Sequence, residues 1–237
     1  MQKINPSSGF ALSELESINL FRNVPETELR QLGEWLHRKT FSTGTILMTA
    51  DQAGESVYFI FSGTVKVHVE QADGSDVIIS ILGPGECFGE MSALDRPSRS
   101  ASVTTLESTD LCWLDRATFR KFLATIPMLG HNLSCLLSAR LRLANEQIQA
   151  LSKLDVECRV ARQLIGFADK YGQPASGGDI SIPVRLTQSD LANLIGATRE
   201  SVNKIIVSYK ERGYLSASRD HRWTIHNRQF LANRCGA

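Results

Sequence analysis

A change of hydrophobic period divides this chain. Ser134, Leu137, Leu141, Ala144, Ile148 and Leu151 fall at intervals of 3-4-3-4-3. Such spacing is an a/d seam over about three heptads, with one polar member at its start. Arg140, Arg142, Glu146 and Gln147 occupy the other faces. The stripe is narrower than the face a globular core demands, so it fits an identical partner better than its own domain. It predicts a long helix over about 128–154 and a parallel homodimer, with packing against its own domain as the alternative.

Ahead of the seam, from Phe41 to about Asp115, the pattern is strands and turns. Short β-rich runs fall at 45–49, 57–61, 65–69, 77–82 and 101–106. Val65, Val67 and Val69 alternate with Lys66 and His68, as in a half-buried strand. Turn residues separate the runs at Ser62-Gly63, at Ala72-Asp73-Gly74-Ser75 and at Gly83-Pro84-Gly85. Asp73-Gly74 reads as a hairpin turn. Regular short strands with glycine-rich turns imply an antiparallel barrel or jelly roll. Before it, Leu29, Leu32 and Leu36 sit at helical spacing over 25–37.

Beyond the seam the chain is mainly helical. Residues 156–171 form one amphipathic helix, and Gly172 to Gly178 a loop. Thr187 with Asp190 is a capping box with Asp in place of Glu. Leu191, Leu194 and Ile195 give that helix an apolar face, and Gly196 can end it at positive φ. Thr198 can cap the next helix, whose apolar face is Val202, Ile205 and Ile206. A short helix, a glycine turn and a second helix make a helix-turn-helix. Arg212 to Leu215 and Trp223 to His226 read as a two-stranded wing.

Charge follows the same division. Residues 1–158 hold 14 Lys/Arg against 19 Asp/Glu, and residues 159–237 hold 12 against 6, nets of −5 and +6. A basic C-terminal third on an acidic body suits a smaller domain that meets an anion. The 237 residues are 42% hydrophobic and 22% charged, enough for a packed core. No apolar run approaches a membrane span, and Met1 to Phe10 lacks the apolar core of a secretory signal, so a cytoplasmic protein is expected. The five cysteines at 87, 112, 135, 158 and 235 include no C-x-x-C, which points to free thiols and no metal site. No nucleophile–base motif or phosphate-binding Walker loop is present, so no enzymatic activity is expected.

One further motif carries ligand chemistry. Gly83-Pro84-Gly85-Glu86-Cys87-Phe88-Gly89-Glu90-Met91 is a glycine-rich turn feeding a short helix, and Arg99-Ser100-Ala101 follows. Backbone amides and a guanidinium suit a phosphate, and a carboxylate accepts from a sugar hydroxyl. Together they suit a ribose-phosphate. By spacing alone Gly89-Glu90 is a weak signal and a lone arginine an ordinary surface charge.

Phe88-Gly89-Glu90 with Arg99-Ser100-Ala101, the strand Val57 to Gly63, the seam helix and the Arg199-Glu200 helix-turn-helix resemble the CRP/FNR (catabolite activator) family of bacterial transcription factors. The resemblance runs from about Leu20 to His226. It implies an α+β protein with a cyclic-nucleotide-binding jelly roll over 1–127, a dimerisation helix and hinge over 128–155, and a winged helix-turn-helix over 156–237. By that resemblance Gly89, Glu90, Met91, Arg99, Ser100 and Ala101 belong to the nucleotide cassette. Glu90 would bind the ribose 2′-hydroxyl, and Arg99 the cyclic phosphate with help from Ser100. The alternative for Arg99 is an ion pair with Glu90. Asp51 stands where many relatives carry glycine in a turn, which Asp tolerates. Ala144 and Asn145 stand where the cyclic-AMP activators carry the Thr-Ser pair that grips adenine. Asn145 is therefore the base-side candidate; cyclic AMP leads, with cyclic GMP or another small effector as alternatives. The scattered cysteines and the isolated His68 and His131 do not suit an iron–sulfur or haem sensor, so no prosthetic group is expected.

The second helix of the pair should enter the major groove, with Arg199, Glu200 and Lys204 on base edges. Lys204 replaces the family's Arg and lacks its planar fork. Thr187, Gln188, Thr198 and Ser201 complete the DNA set, with Arg219, His221 and Arg222 of the wing as phosphate contacts. The implied partners are double-stranded DNA, a second copy of the chain, a small-molecule effector and RNA polymerase. Two rivals are an effector-independent regulator and a cyclic-nucleotide-binding subunit of an enzyme; the helix pair and the basic third oppose the latter.

Overall fold

The computed structural model describes residues 10–72, 74, 76–95 and 98–235. The chain divides into two compact units, Met1–Val69 with Ile81–Arg140, and Glu70–Ser80 with Leu141–Ala237. Along the first half run α1 (Leu12–Glu16), a 3-10 turn, α2 (Glu26–Gly33), β1 (His37–Phe41), β2 (Ile46–Met48), β3 (Ser56–Ser62), β4 (Val65–Glu70), β5 (Asp76–Leu82), β6 (Cys87–Phe88), α3 (Glu90–Leu94), β7 (Ser102–Thr105), β8 (Thr109–Asp115) and α4 (Arg116–Thr125). Helix α5 (Pro127–Lys153) follows, 27 residues without a break.

One sheet has the order β1-β8-β3-β6, and a second pairs β2 with β7 and β7 with β4. All of these pairings are antiparallel. Strand β3 explains how the core is divided. Val57 and Phe59 pack with the helices, among Phe21, Leu29, Phe119 and Leu129. Ile60 and the partly buried Tyr58 face the other way, with Met48, Val65, Phe88, Val103 and Leu111 between the sheets. Period-2 alternation with both faces covered makes β3 the central strand. Burying a side chain such as Phe59 contributes about 1.5–3 kcal/mol.

The runs expected at 45–49, 57–61, 65–69, 77–82 and 101–106 all contain strands. The helix expected over 25–37 ends at Gly33, and His37 begins β1. Strand β1 is His-Arg-Lys-Thr-Phe, a polar edge with no apolar run to mark it; pairing with β8 sets its conformation. Asp51 has φ 65°, so it takes the left-handed turn expected of it. Of the hairpin expected at Asp73-Gly74, Asp73 lies outside the described residues, and Gly74 has φ 80°.

In the second half come α6 (Val156–Tyr171), β9 (Gln173–Pro174), a 3-10 turn, β10 (Ile180–Ile182), α7 (Gln188–Ile195), α8 (Arg199–Glu211), β11 (Leu215–Ala217), β12 (Trp223–Ile225) and α9 (Arg228–Cys235). Asp155 caps α6 by accepting from the Cys158 backbone N–H at 2.7 Å. The wing is larger than the expected two strands: its sheet runs β11-β12-β10-β9, because Ile180–Ile182 adds to the far edge of β12 and Gln173–Pro174, inside the expected loop, pairs with β10. Helix α9 lies against α6, where the Cys158 thiol donates to the Arg234 carbonyl at 3.1 Å and Leu231 is buried. Along α5 the seam residues Leu141, Ile148 and Leu151 are 64%, 66% and 52% exposed, an apolar row uncovered within one chain.

Candidate functional site

The cassette of the first unit begins where β6 ends. Gly89 has φ 81°, and a β-carbon there would lie 2.6 Å from an Arg99 guanidinium nitrogen and 2.9 Å from the Ser56 carbonyl. Both backbone conformation and space therefore require glycine. The turn buries Glu90 at the head of α3, 1% exposed. Its Oε1 accepts from Arg140 of α5 at 2.6 Å, while Arg140 also donates to the Cys87 carbonyl at 2.5 Å. Its Oε2 is buried and has no hydrogen-bond partner among the described residues. A buried carboxylate oxygen left this way is costly, which makes it an acceptor awaiting a donor.

Arg99 is 6% exposed. Its Nη1 donates to the Gly89 carbonyl at 3.0 Å and to the Ser92 hydroxyl at 2.7 Å, and its Nη2 to the Ser56 carbonyl at 2.7 Å. All three acceptors are neutral. Burial pulls its pKa down, against the opposing pull of Tyr58, Glu90 and Glu55. Arg140 differs: burial opposes its charge, but the Glu90 carboxylate together with Cys87 and Glu86 outweighs burial and raises its pKa. Glu90 thus pairs with Arg140 and not with Arg99, contrary to the alternative weighed for Arg99. Sequence reading placed Arg140 among the outer faces of the seam helix and missed this contact; its one signal was a cation a helical turn before Ala144. Of the other cassette candidates, Met91 and Ser100 are exposed and Ala101 is buried. Asn145 is exposed on α5 and belongs to the second unit.

In the second unit, the Thr187 hydroxyl accepts from the Asp190 backbone N–H at 3.1 Å, and the Asp190 carboxylate accepts from the Thr187 N–H at 2.9 Å. Gly196 ends α7 at φ 62°. Thr198 opens α8 by accepting from the Ser201 N–H at 3.2 Å. Val202, Ile206 and Tyr209 bury one face of α8, which leaves Arg199, Glu200 and Lys204 exposed on the other. Glu200 and Lys204 form an ion pair at 2.8 Å across one turn. A cleft of about 560 Å³ lies between the start of α7, α8 and the wing, lined by Thr187, Gln188, Arg199, Lys210, Arg219 and His221 among others. Its walls carry several basic side chains and hydrogen-bonding groups, the chemistry a phosphodiester takes.

Among the described residues no cluster of His, Cys, Asp and Glu could hold a metal ion, and no single helix is long and apolar enough to cross a membrane.

Residues 38–126 match the cyclic nucleotide-binding domain, and residues 158–234 the Crp-like helix-turn-helix domain. The chain is 32% identical over 201 residues to the CRP-like cAMP-activated global transcriptional regulator of Mycobacterium tuberculosis, covering 85% of this chain and 89% of that protein. The chain belongs to the CRP/FNR family of transcriptional regulators. It is also 30% identical to the cyclic AMP receptor protein of Thermus thermophilus, over 82% of this chain and 86% of that protein. Among solved structures, FixK2 from Bradyrhizobium japonicum superposes with a TM-score of 0.74 at 22% identity, covering 85% of this chain and 98% of that one, and so shares the fold. The α+β architecture of a β-rich nucleotide-binding domain, a long helix and a helix-turn-helix is that of the family.

Proposed function

We propose that this family member is a cyclic-AMP-controlled, dimeric regulator that binds palindromic DNA. The observation that carries the reading is the complementary pair of unmet needs in the cassette: the Glu90 Oε2 atom without a donor, and the buried Arg99 guanidinium with only neutral acceptors. A ribose hydroxyl supplies the first and a cyclic phosphate the second, each charge-assisted hydrogen bond contributing about 1.5–3 kcal/mol. Gly89, Met91, Ser100 and Ala101 complete the cassette, and Asn145 is the base-side candidate by family resemblance, with one donor and one acceptor group. Ala144 brings no hydrogen bond, so cyclic GMP is the comparison ligand.

Residues 1–127 then sense the effector, 128–155 dimerise and hinge, and 156–237 read DNA. The exposed Leu141, Ile148 and Leu151 supply the dimer contact. Arg199, Glu200 and Lys204 meet base edges, while Thr187, Gln188, Thr198 and Ser201 hold the backbone. The protein works without enzymatic activity, in the cytoplasm, and acts on RNA polymerase at promoters. Titration calorimetry of the wild type with cyclic AMP and cyclic GMP tests the effector assignment. One-site binding with cyclic AMP the tighter is expected; heat from neither nucleotide overturns it.

A further inference from the structure

Ser92 stands outside every motif in the sequence, yet it is 4% exposed and touches both halves of the cassette turn. Its hydroxyl donates to the Gly89 carbonyl at 3.1 Å and accepts from Arg99 Nη1 at 2.7 Å. Arg99 Nη1 also donates to the Gly89 carbonyl at 3.0 Å, so serine, glycine carbonyl and guanidinium close a three-membered ring of contacts. The consequence lies in the count of donors. A guanidinium carries five N–H groups in a fixed plane. Gly89 and Ser92 take both on Nη1, and the Ser56 carbonyl takes one on Nη2. Among the described residues, nothing takes Nε–H or the second Nη2 proton. Those two remain for an anion.

We infer that Ser92 is a positioning residue for the anion site: its hydroxyl engages Arg99 Nη1, so that the phosphate is met by the Nε and Nη2 side of the guanidinium in one orientation. The inference rests on the cyclic-nucleotide reading for the identity of the ligand and on the hydrogen bonds alone for the role of Ser92. No carboxylate among the described residues ion-pairs with Arg99, so without Ser92 the cation rests on two backbone carbonyls and can turn about its Nε–Cζ bond. A turned fork still attracts a phosphate but no longer separates its two exocyclic oxygens. Chemical discrimination, and not affinity alone, should therefore depend on a single hydroxyl.

The test compares the wild type with Ser92→Ala, a smaller side chain that a buried helix position accepts. The probes are cyclic AMP and the Rp and Sp diastereomers of its phosphorothioate, in which sulfur replaces one or the other exocyclic oxygen. Binding is read by calorimetry, and the Arg99 guanidinium by nitrogen-15 NMR of the nucleotide-free protein. The wild type should separate Rp from Sp by about tenfold or more, and Ser92→Ala should lose several-fold in cyclic AMP affinity while its Rp/Sp ratio falls toward one. Split Arg99 Nη signals in the wild type should merge in the variant as the group rotates. A loss of affinity with an unchanged ratio, or Nη signals insensitive to Ser92→Ala, overturns the positioning role. Should the wild type bind none of the three nucleotides while its Nη signals still merge in the variant, the positioning role stands and the ligand assignment falls.

Discussion

Glu90 and Arg99, nine residues apart, and Arg140, brought to Glu90 from α5, are three charges held largely out of water, and they are satisfied by different means. Arg140 and Glu90 neutralise each other at 2.6 Å, whereas Arg99 donates only to neutral acceptors. The two arginines should therefore fail differently. Arg99→Leu removes the partner of the phosphate without stranding a carboxylate but leaves the Gly89 and Ser56 carbonyls without that donor, so cyclic-nucleotide binding should vanish by calorimetry while the protein still unfolds cooperatively at a somewhat lowered temperature. Arg140→Ala strands Glu90 in the protein interior. Breaking a buried pair costs about 3–5 kcal/mol, and because Arg140 is partly exposed the lower end, about 3 kcal/mol, is expected in a urea titration. Equal stability of Arg140→Ala and wild type would show that Glu90 is hydrated. By spacing alone Gly89, Glu90 and Arg99 left only a weak trace in the sequence, and it was the resemblance to the family's cassette that made them legible. Arg140 and Ser92 were not: their roles come from contacts over 50 and 7 residues that only the fold creates.

Among the elements, those set by local chemistry were legible and those set by partners were not. The Thr187–Asp190 box, the Gly196 stop and the Thr198 cap each act within four residues, and the expected helix pair forms at those residues. Strand β1 owes its conformation to β8, far along the chain, and β9 to β10 just beyond the intervening turn, and neither carries an apolar run. The seam of α5 is the element with most to test. Replacing Leu141 and Ile148 together by Asp puts charges into the proposed dimer contact, so light scattering should report monomers; a dimeric mass would contradict the seam reading. Asp155, at the head of α6, gives a pH signature. The hydrogen bond from the Cys158 backbone N–H comes first in lowering its pKa, with Arg234 adding to it. A carboxyl held low stabilises the fold above its ordinary value of about 3.9, and that contribution is lost as pH falls through the lowered one. Amide exchange in the first turn of α6 should thus accelerate in acid, and Asp155→Asn, which keeps a capping oxygen, should flatten the dependence. On α8, Arg199→Ala should cost about 1–3 kcal/mol per half-site and relax preference at one base pair, seen in a selection from random duplexes. An unchanged preference would take this helix out of the major groove.

For the whole molecule, the division into an acidic sensing half and a basic reading third was visible in the nets of −5 and +6, and the family matches fall on those two halves, at 38–126 and 158–234. The two halves should be coupled, so that nucleotide in the cassette strengthens the grip on DNA. Linkage then requires that DNA tighten nucleotide binding by the same factor. The coupling is tested most directly by fluorescence anisotropy of a labelled palindromic duplex, titrated with wild type and with Arg99→Leu, each with and without saturating cyclic AMP. Cyclic AMP should lower the wild-type Kd at least fivefold and leave that of Arg99→Leu where it was. A wild-type Kd indifferent to cyclic AMP, or an Arg99→Leu protein that responds as the wild type does, would contradict the coupling.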